Sequence, residues 1–165
     1  MKPADIAYSA VIFDGESWAI IAPYNANSTF KGMVYPRHRM RLGVSNTSRP
    51  LLEWLKRTWG RNIYLVYPQK GKRRALYSWQ PSEKLATHFL SQILPYLNVK
   101  SRQARLALEF RKTIDRTSRG RLLPKSILSE RDRLMNSMRA INDPLGRFHG
   151  HKRLGRIMVR LAKKK

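Results

Sequence analysis

Tyr8-Ser9-Ala10-Val11-Ile12-Phe13-Asp14-Gly15-Glu16-Ser17 is the stretch on which the fold turns. With Ala4-Asp5-Ile6-Ala7 in front of it, the run reads as a short helix of small and apolar residues that stops at Asp14-Gly15-Glu16. A helix without a polar face needs cover on most sides, so it belongs in a core or an interface. The triplet places two carboxylates at the negative end of the helix dipole, which is unfavourable unless a cation lies nearby. A hard divalent ion takes carboxylate and carbonyl oxygens, and Gly15 lets backbone oxygen approach one. The same triplet also reads as an ordinary helix-ending turn.

Acids are rare in this chain, which is why the triplet stands out. Of 165 residues, 34 are Lys or Arg and 10 are Asp or Glu, a formal net charge of +24. Such a density of one sign repels itself unless a polyanion supplies the counter-charge. Nucleic acid is the first partner to consider and an anionic membrane surface the second. A hydrophobic fraction of 42% is too high for a disordered basic tail, so a folded core is expected. The length fits one domain with an appendage. The absence of cysteine excludes a disulfide framework and a thiolate metal site. No apolar run reaches the ~18–20 residues that cross a bilayer, and the N-terminus lacks a signal-type apolar core. A soluble protein that is not secreted and not in a membrane is the expectation.

Downstream of the helix, Trp18 to Pro23 reads as a strand, and a longer strand follows around Val34–Ser45. The second strand has a period of two: Arg37, Arg39 and Arg41 share one face, while His38, Met40, Leu42 and Val44 share the other. One face is cationic and the other covers a core, with His38 among the core residues; a merely solvated face is the plainer reading of the arginines. Asn46-Thr47-Ser48-Arg49-Pro50 reads as a helix start, and Gly60 as the end of a helix over Pro50–Trp59. Ile63–Tyr67 and Arg74–Trp79 read as a hairpin around a basic loop. A third helix over Ser82–Leu94 ends at Pro95, and two more are expected at Lys100–Asp115 and Ser126–Asn142. The segment from Arg147 to Lys165 is basic and has no acid. Its His149-Gly150-His151 has the look of a metal pair, although a turn in a basic tail is the simpler reading.

The decapeptide resembles the signature of the LAGLIDADG homing endonucleases, in which a motif helix ends in an acidic-Gly-acidic step. Arg41-Leu42-Gly43-Val44-Ser45-Asn46-Thr47 with Leu51-Leu52-Glu53-Trp54-Leu55 is similar to that family's second strand and following helix. Leu94-Pro95-Tyr96-Leu97-Asn98-Val99-Lys100-Ser101-Arg102-Gln103-Ala104 is similar to its basic segment. The match in order covers about residues 4–142. Two positions depart from the pattern: Val11 stands where a glycine lets two motif helices cross closely, and Ser17 stands for the glycine after the last acid.

The resemblance implies an α+β fold of αββαββα order with a saddle-shaped antiparallel sheet and additional C-terminal helices. It implies a domain over residues 1–142 and a basic tail over 143–165. Only one motif is present, so it implies a homodimer whose motif helices pack side by side through Ala7, Ala10, Val11 and Asp14. Glu16, helped by the carbonyl of Gly15, would hold Mg2+, with Mn2+ or Ca2+ as possible substitutes. Lys100 would act at the scissile phosphate and Asn46 would hold the attacking water. A surface lysine and a helix-capping turn residue are the plain readings of these last two.

The partner implied is a long, pseudo-palindromic double-stranded DNA, cut across the minor groove to leave short 3′ overhangs. The sheet would lie in the major groove. Arg37, Arg39 and Arg41 would contact it, with Tyr24, Arg73, Ala75, Tyr77 and Trp79 extending the face. An intron RNA maturase, or a catalytically inactive DNA-binding protein of the same fold, is the competing function. A general RNA-binding protein fits the charge but leaves the triplet unexplained. An organelle, either mitochondrion or chloroplast, or a bacterial or phage cytoplasm is the expected compartment.

Overall fold

The structure, a computed structural model, describes residues 1–24, 29–30, 33–34, 37–115 and 123–144. Its elements run α1 (Pro3–Glu16), β1 (Ser17–Tyr24), β2 (Thr29–Phe30), β3 (Met33–Val34), β4 (Arg37–Asn46) and α2 (Arg49–Trp59). They continue with β5 (Ile63–Tyr67), β6 (Leu76–Trp79), α3 (Glu83–Ile93), a 3-10 turn (Leu94–Tyr96), α4 (Ser101–Asp115) and α5 (Lys125–Asn142). The result is an α+β fold built on an open antiparallel sheet of order β1-β4-β6-β5. The short strands β2 and β3 pair only with each other.

Several boundaries differ by one residue from those expected, and three differ by more. α1 runs through Asp14-Gly15-Glu16 instead of stopping there, so the triplet is its last turn. Val34 belongs to β3, and the long strand starts at Arg37. β6 starts at Leu76 rather than Arg74, after a turn in which Lys70 and Arg73 bridge each other and Gly71 adopts a φ of 57°.

β4 is the organising strand. Its burial alternates over Arg37–Leu42, with arginines exposed and His38, Met40 and Leu42 buried. β1 pairs with it in a register that puts Ala19 and Ile21 on the buried side, opposite Leu42 and Met40. Onto this side pack α1, α2 and α3. Phe13 of α1, Trp59 of α2, Trp79 of β6 and Phe89 of α3 meet edge to face, with Phe89 5.7, 4.9 and 5.2 Å from Phe13, Trp59 and Trp79. Such pairs contribute about 0.5–1.5 kcal/mol each beyond the area they bury.

Both indoles find acceptors, as buried polar groups must. Trp79 Nε1 donates to the Gly60 carbonyl at 2.8 Å, and Trp59 Nε1 donates to Ser9 Oγ at 2.9 Å. Gly60 ends α2 as expected, with a φ of 82° that favours glycine.

α4 and α5 complete the covered side. Asn142 Nδ2 donates to the Ala19 carbonyl of β1 at 2.8 Å, and His38 Nε2 meets Asp132 of α5 at 2.9 Å. The core position expected for His38 is where the structure puts it, although its Nδ1 finds no hydrogen-bond partner. Arg131, also buried, donates to Thr113 Oγ1 and to the Thr113 carbonyl, both at 2.9 Å, and so ties α5 to the end of α4. Among the described residues no helix is long and apolar enough to cross a membrane. The tail from residue 145 onward, with His149 and His151, lies outside the described residues.

Candidate functional site

The end of α1 and the start of α4 are locked together by two residues acting in opposite senses. Asp14 Oδ2 accepts from the backbone N–H groups of Asn98 and Val99 at 2.8 and 3.2 Å, and Oδ1 from that of Lys100 at 2.8 Å. These donors lie in the turn that leads into α4, whose first residue is Ser101. Lys100 returns the contact. Its Nζ donates to the Ser17 carbonyl at 2.6 Å, to the Phe13 carbonyl at 3.2 Å and to Ser17 Oγ at 3.3 Å. The cation that two carboxylates at a helix C-terminus require is therefore Lys100.

The electrostatics follow from this geometry. Burial works against ionisation of Asp14, but the N–H groups of Asn98, Lys100 and Val99 and the Lys100 charge outweigh it and hold its carboxyl below the usual value. Burial lowers the Lys100 ammonium below an ordinary lysine, while Asp14 and Glu16 pull it back up.

Glu16 ends α1 and is exposed. Gly15 is exposed as well, with no heavy atom within 4 Å of where a Cβ would stand. The donor chemistry of the Glu16 carboxylate and the Gly15 carbonyl suits a hard divalent ion. No cluster of three His, Asp or Glu side chains forms among the described residues.

The residues expected along the motif helix separate. Ala10 is wholly buried in the chain's own core, so it cannot meet a second copy. Asp14 is half-buried and its carboxylate is engaged with the turn before α4 of the same chain. Ala7 is half-buried, and Val11 is 67% exposed. The outward stripe of α1 is Ala4, Tyr8, Val11 and Gly15, spaced as one helical face.

Asn46 lies at the end of β4 to which α1 delivers its acids, since Ser17 pairs with Val44. Its Oδ1 accepts from the Ser48 N–H at 2.7 Å, so the turn-capping reading is the one the geometry displays.

The opposite face of the sheet carries Arg37, Arg39 and Arg41, all exposed. Tyr24, Ala22 and Ile20 of β1 stand across from them in register. The expected extension onto β6 is out by one residue. Trp79 pairs with Val44 and is 0% exposed in the core, and Tyr77 shares its side, packed against the core with the Arg49 guanidinium 5.6 Å above its ring. In a strand a shift of one moves every side chain to the other face. Ser78 and Leu76 therefore face the arginines' side, and Trp79 and Tyr77 are removed from it. Ala75 precedes the strand and is half-buried. Arg73 is exposed and sits 4.3 Å above the Tyr67 ring.

Besides Ser78 and Leu76, the sequence reading missed Trp18, Ser45 and Gln80 beside the arginines. Extending the period of two from Arg41 through Gly43 would have found Ser45. Trp18 Nε1 donates to Ser45 Oγ at 3.2 Å, Ser45 Oγ to Ser78 Oγ at 3.0 Å, and Arg41 Nη2 to Gln80 Oε1 at 3.2 Å.

Comparison with solved structures reads this architecture directly. The homing endonuclease I-CvuI, crystallised with a DNA target and Mg, superposes with a TM-score of 0.63 at 18% identity over 84% of this chain and 82% of that one. The archaeal intron-encoded homing endonuclease I-Vdi141I, in complex with DNA, gives 0.65 at 17% identity over 84% of each chain. The chain has the LAGLIDADG homing-endonuclease fold. The homing endonuclease I-TnaI matches over 97% of both chains at 15% identity, with a TM-score of 0.56. No protein-family model and no curated protein matches the sequence. In this fold α1 ends at Glu16, and the arginines of β4 lie on the exposed side of the sheet.

Proposed function

We propose that this chain is a homing endonuclease that cuts both strands of a long DNA target as a homodimer. The observation that carries the reading is the arrangement at the end of α1. Asp14 and Lys100 hold two helix ends together, and Glu16 stands exposed beside the uncovered stripe Ala4, Tyr8, Val11 and Gly15. Packing that stripe against its copy brings two Glu16 carboxylates together on a two-fold axis and supplies what one chain lacks.

Glu16 and the Gly15 carbonyl would hold Mg2+, or Mn2+ or Ca2+ in its place. The chemistry supplied there when the ion is bound is charge neutralisation at the phosphate and a more acidic water. Lys100, held at a fixed position by three oxygens, presents positive charge where the phosphate develops more negative charge. The exposed arginines of β4 lie along the DNA, and the basic segment from residue 143 adds phosphate contacts.

The test is to incubate the protein with Mg2+ and a library of duplexes carrying randomised cores, then capture cut ends. Enrichment of one approximately two-fold symmetric sequence, cut on both strands, supports the reading. A protein that binds intron RNA and never cuts DNA would replace it with the maturase alternative.

A further inference from the structure

Arg41 differs from an ordinary exposed arginine in having its position set from two sides. Its guanidinium carbon lies 5.7 Å from the centre of the Trp18 ring, within cation–π range. Its Nη2 donates to Gln80 Oε1 at 3.2 Å, and Gln80 Nε2 donates in turn to Ser78 Oγ at 3.3 Å. Ser78 Oγ also accepts from Ser45 Oγ, whose oxygen accepts from Trp18 Nε1. The five side chains close a ring in which the arginine rests on the indole and is gripped by the amide.

The backbone is shaped to allow this. Trp18 pairs with Gly43, and a Cβ there would come within 2.9 Å of both Trp18 Cζ2 and the Trp79 carbonyl oxygen. Gly43 thus lets the indole lie flat on the sheet beneath Arg41. None of these contacts is needed to cover the core, because Trp18 and Arg41 are on the open face.

We propose that Arg41 is the specificity-determining residue of each half-site nearest the cleavage centre, and that Trp18, Ser45, Ser78 and Gln80 are its positioning residues. A phosphate can be neutralised by a mobile cation, but bidentate reading of guanine O6 and N7 needs a planar fork in a fixed plane. Holding that fork before DNA arrives removes the entropy cost of ordering it. Along an extended strand, residues two apart on one face are separated by ~6.8 Å, about twice the ~3.4 Å rise per base pair. With the strand following the groove, Arg41, Arg39 and Arg37 address alternate base pairs outward from Glu16, Arg41 being the nearest to it.

The inference rests on the DNA-cleaving reading, so the experiment separates the two. The wild type, Gln80→Leu, Gln80→Glu and Ser45→Ala are each used to select duplexes from a randomised library in Ca2+, and melting curves check that each variant is folded. The wild type should enrich a motif with a G·C pair at one position per half-site near the centre. Gln80→Leu should reduce discrimination at that position on the order of tenfold, with Ser45→Ala acting in the same direction. Positions two and four base pairs outward should be unaffected, and Gln80→Glu, which keeps an acceptor, should restore the preference. A motif that Gln80→Leu leaves unchanged, or weakens equally everywhere, overturns the clamp alone. Failure of the wild type to enrich any motif overturns the DNA-cleaving reading with it.

Discussion

Asp14 and Lys100 tie α1 to the turn that leads into α4: the carboxylate takes the backbone N–H groups of Asn98, Val99 and Lys100, and the ammonium closes the C-terminus of α1. The pair fixes the direction in which α1 delivers Glu16. A carboxylate next to a helix C-terminus is disfavoured on its own, and the lysine offsets that cost where the neighbouring acid must stay exposed.

Asp14→Asn should destabilise the fold by about 1–2 kcal/mol near neutral pH, because it weakens three backbone hydrogen bonds to a charged acceptor. The native carboxyl titrates below its ordinary value of 3.8, so its contribution is present above that value and is lost as the pH falls through the lower native one. Urea melts of wild type and variant should differ at pH 7 and converge in acid below pH 3.8. A constant difference across that range would count against a role for the carboxylate's charge.

Lys100→Met should slow DNA cleavage by about 10²-fold, with DNA affinity changed by less than about threefold. Since burial holds the native ammonium below an ordinary lysine, cleavage should decline on the alkaline side before free lysine would lose its proton. Lys100→Arg should remove that decline while restoring part of the rate. The comparison is of single-turnover rates over alkaline pH.

His38 is buried, and burial pushes its imidazole below the ordinary 6.5 despite the counter-pull of Asp132. The folded chain therefore binds fewer protons than the unfolded chain as the pH falls through 6.5, so stability is full above that value and declines below it. His38→Gln should flatten the dependence between about pH 7 and pH 5. Thermal melts across that interval decide the matter, and an equally steep fall in the variant would assign the loss to other groups.

Val11 is exposed on α1 and absent from the core, so Val11→Asp should fold normally. Placed at the proposed two-fold axis, the introduced carboxylates would face each other and Glu16. Sedimentation should show a dimer for wild type and a monomer for the variant, with double-strand cleavage lost. A variant that remains dimeric would move the interface off this helix.

Much of the order was legible because periodicity carries it. The alternating Arg37–Leu42 run fixed the face of β4, and the placements of Gly60 and Pro95 fixed two helix ends. The face of β6 was not legible: Ala75-Leu76-Tyr77-Ser78-Trp79 has large apolar residues at adjacent parities, and only the burial of Trp79 decides which side is in. The role of Asp14 was hidden for another reason. Its three donors lie 84 to 86 positions along the chain, and no local pattern reports a contact of that range. The ring around Arg41 likewise joins β1, β4 and β6 with the residue that follows, and becomes visible only once the register is known.

The measurement that bears most directly on the account is cleavage by Glu16→Gln. The substitution keeps the size of an exposed side chain and removes the carboxylate that the two-fold arrangement requires. On the target selected by the wild type in Mg2+, the variant should bind within about threefold of wild-type affinity and give no detectable double-strand product. Undiminished cutting by Glu16→Gln would contradict the assignment of this helix end as the catalytic centre.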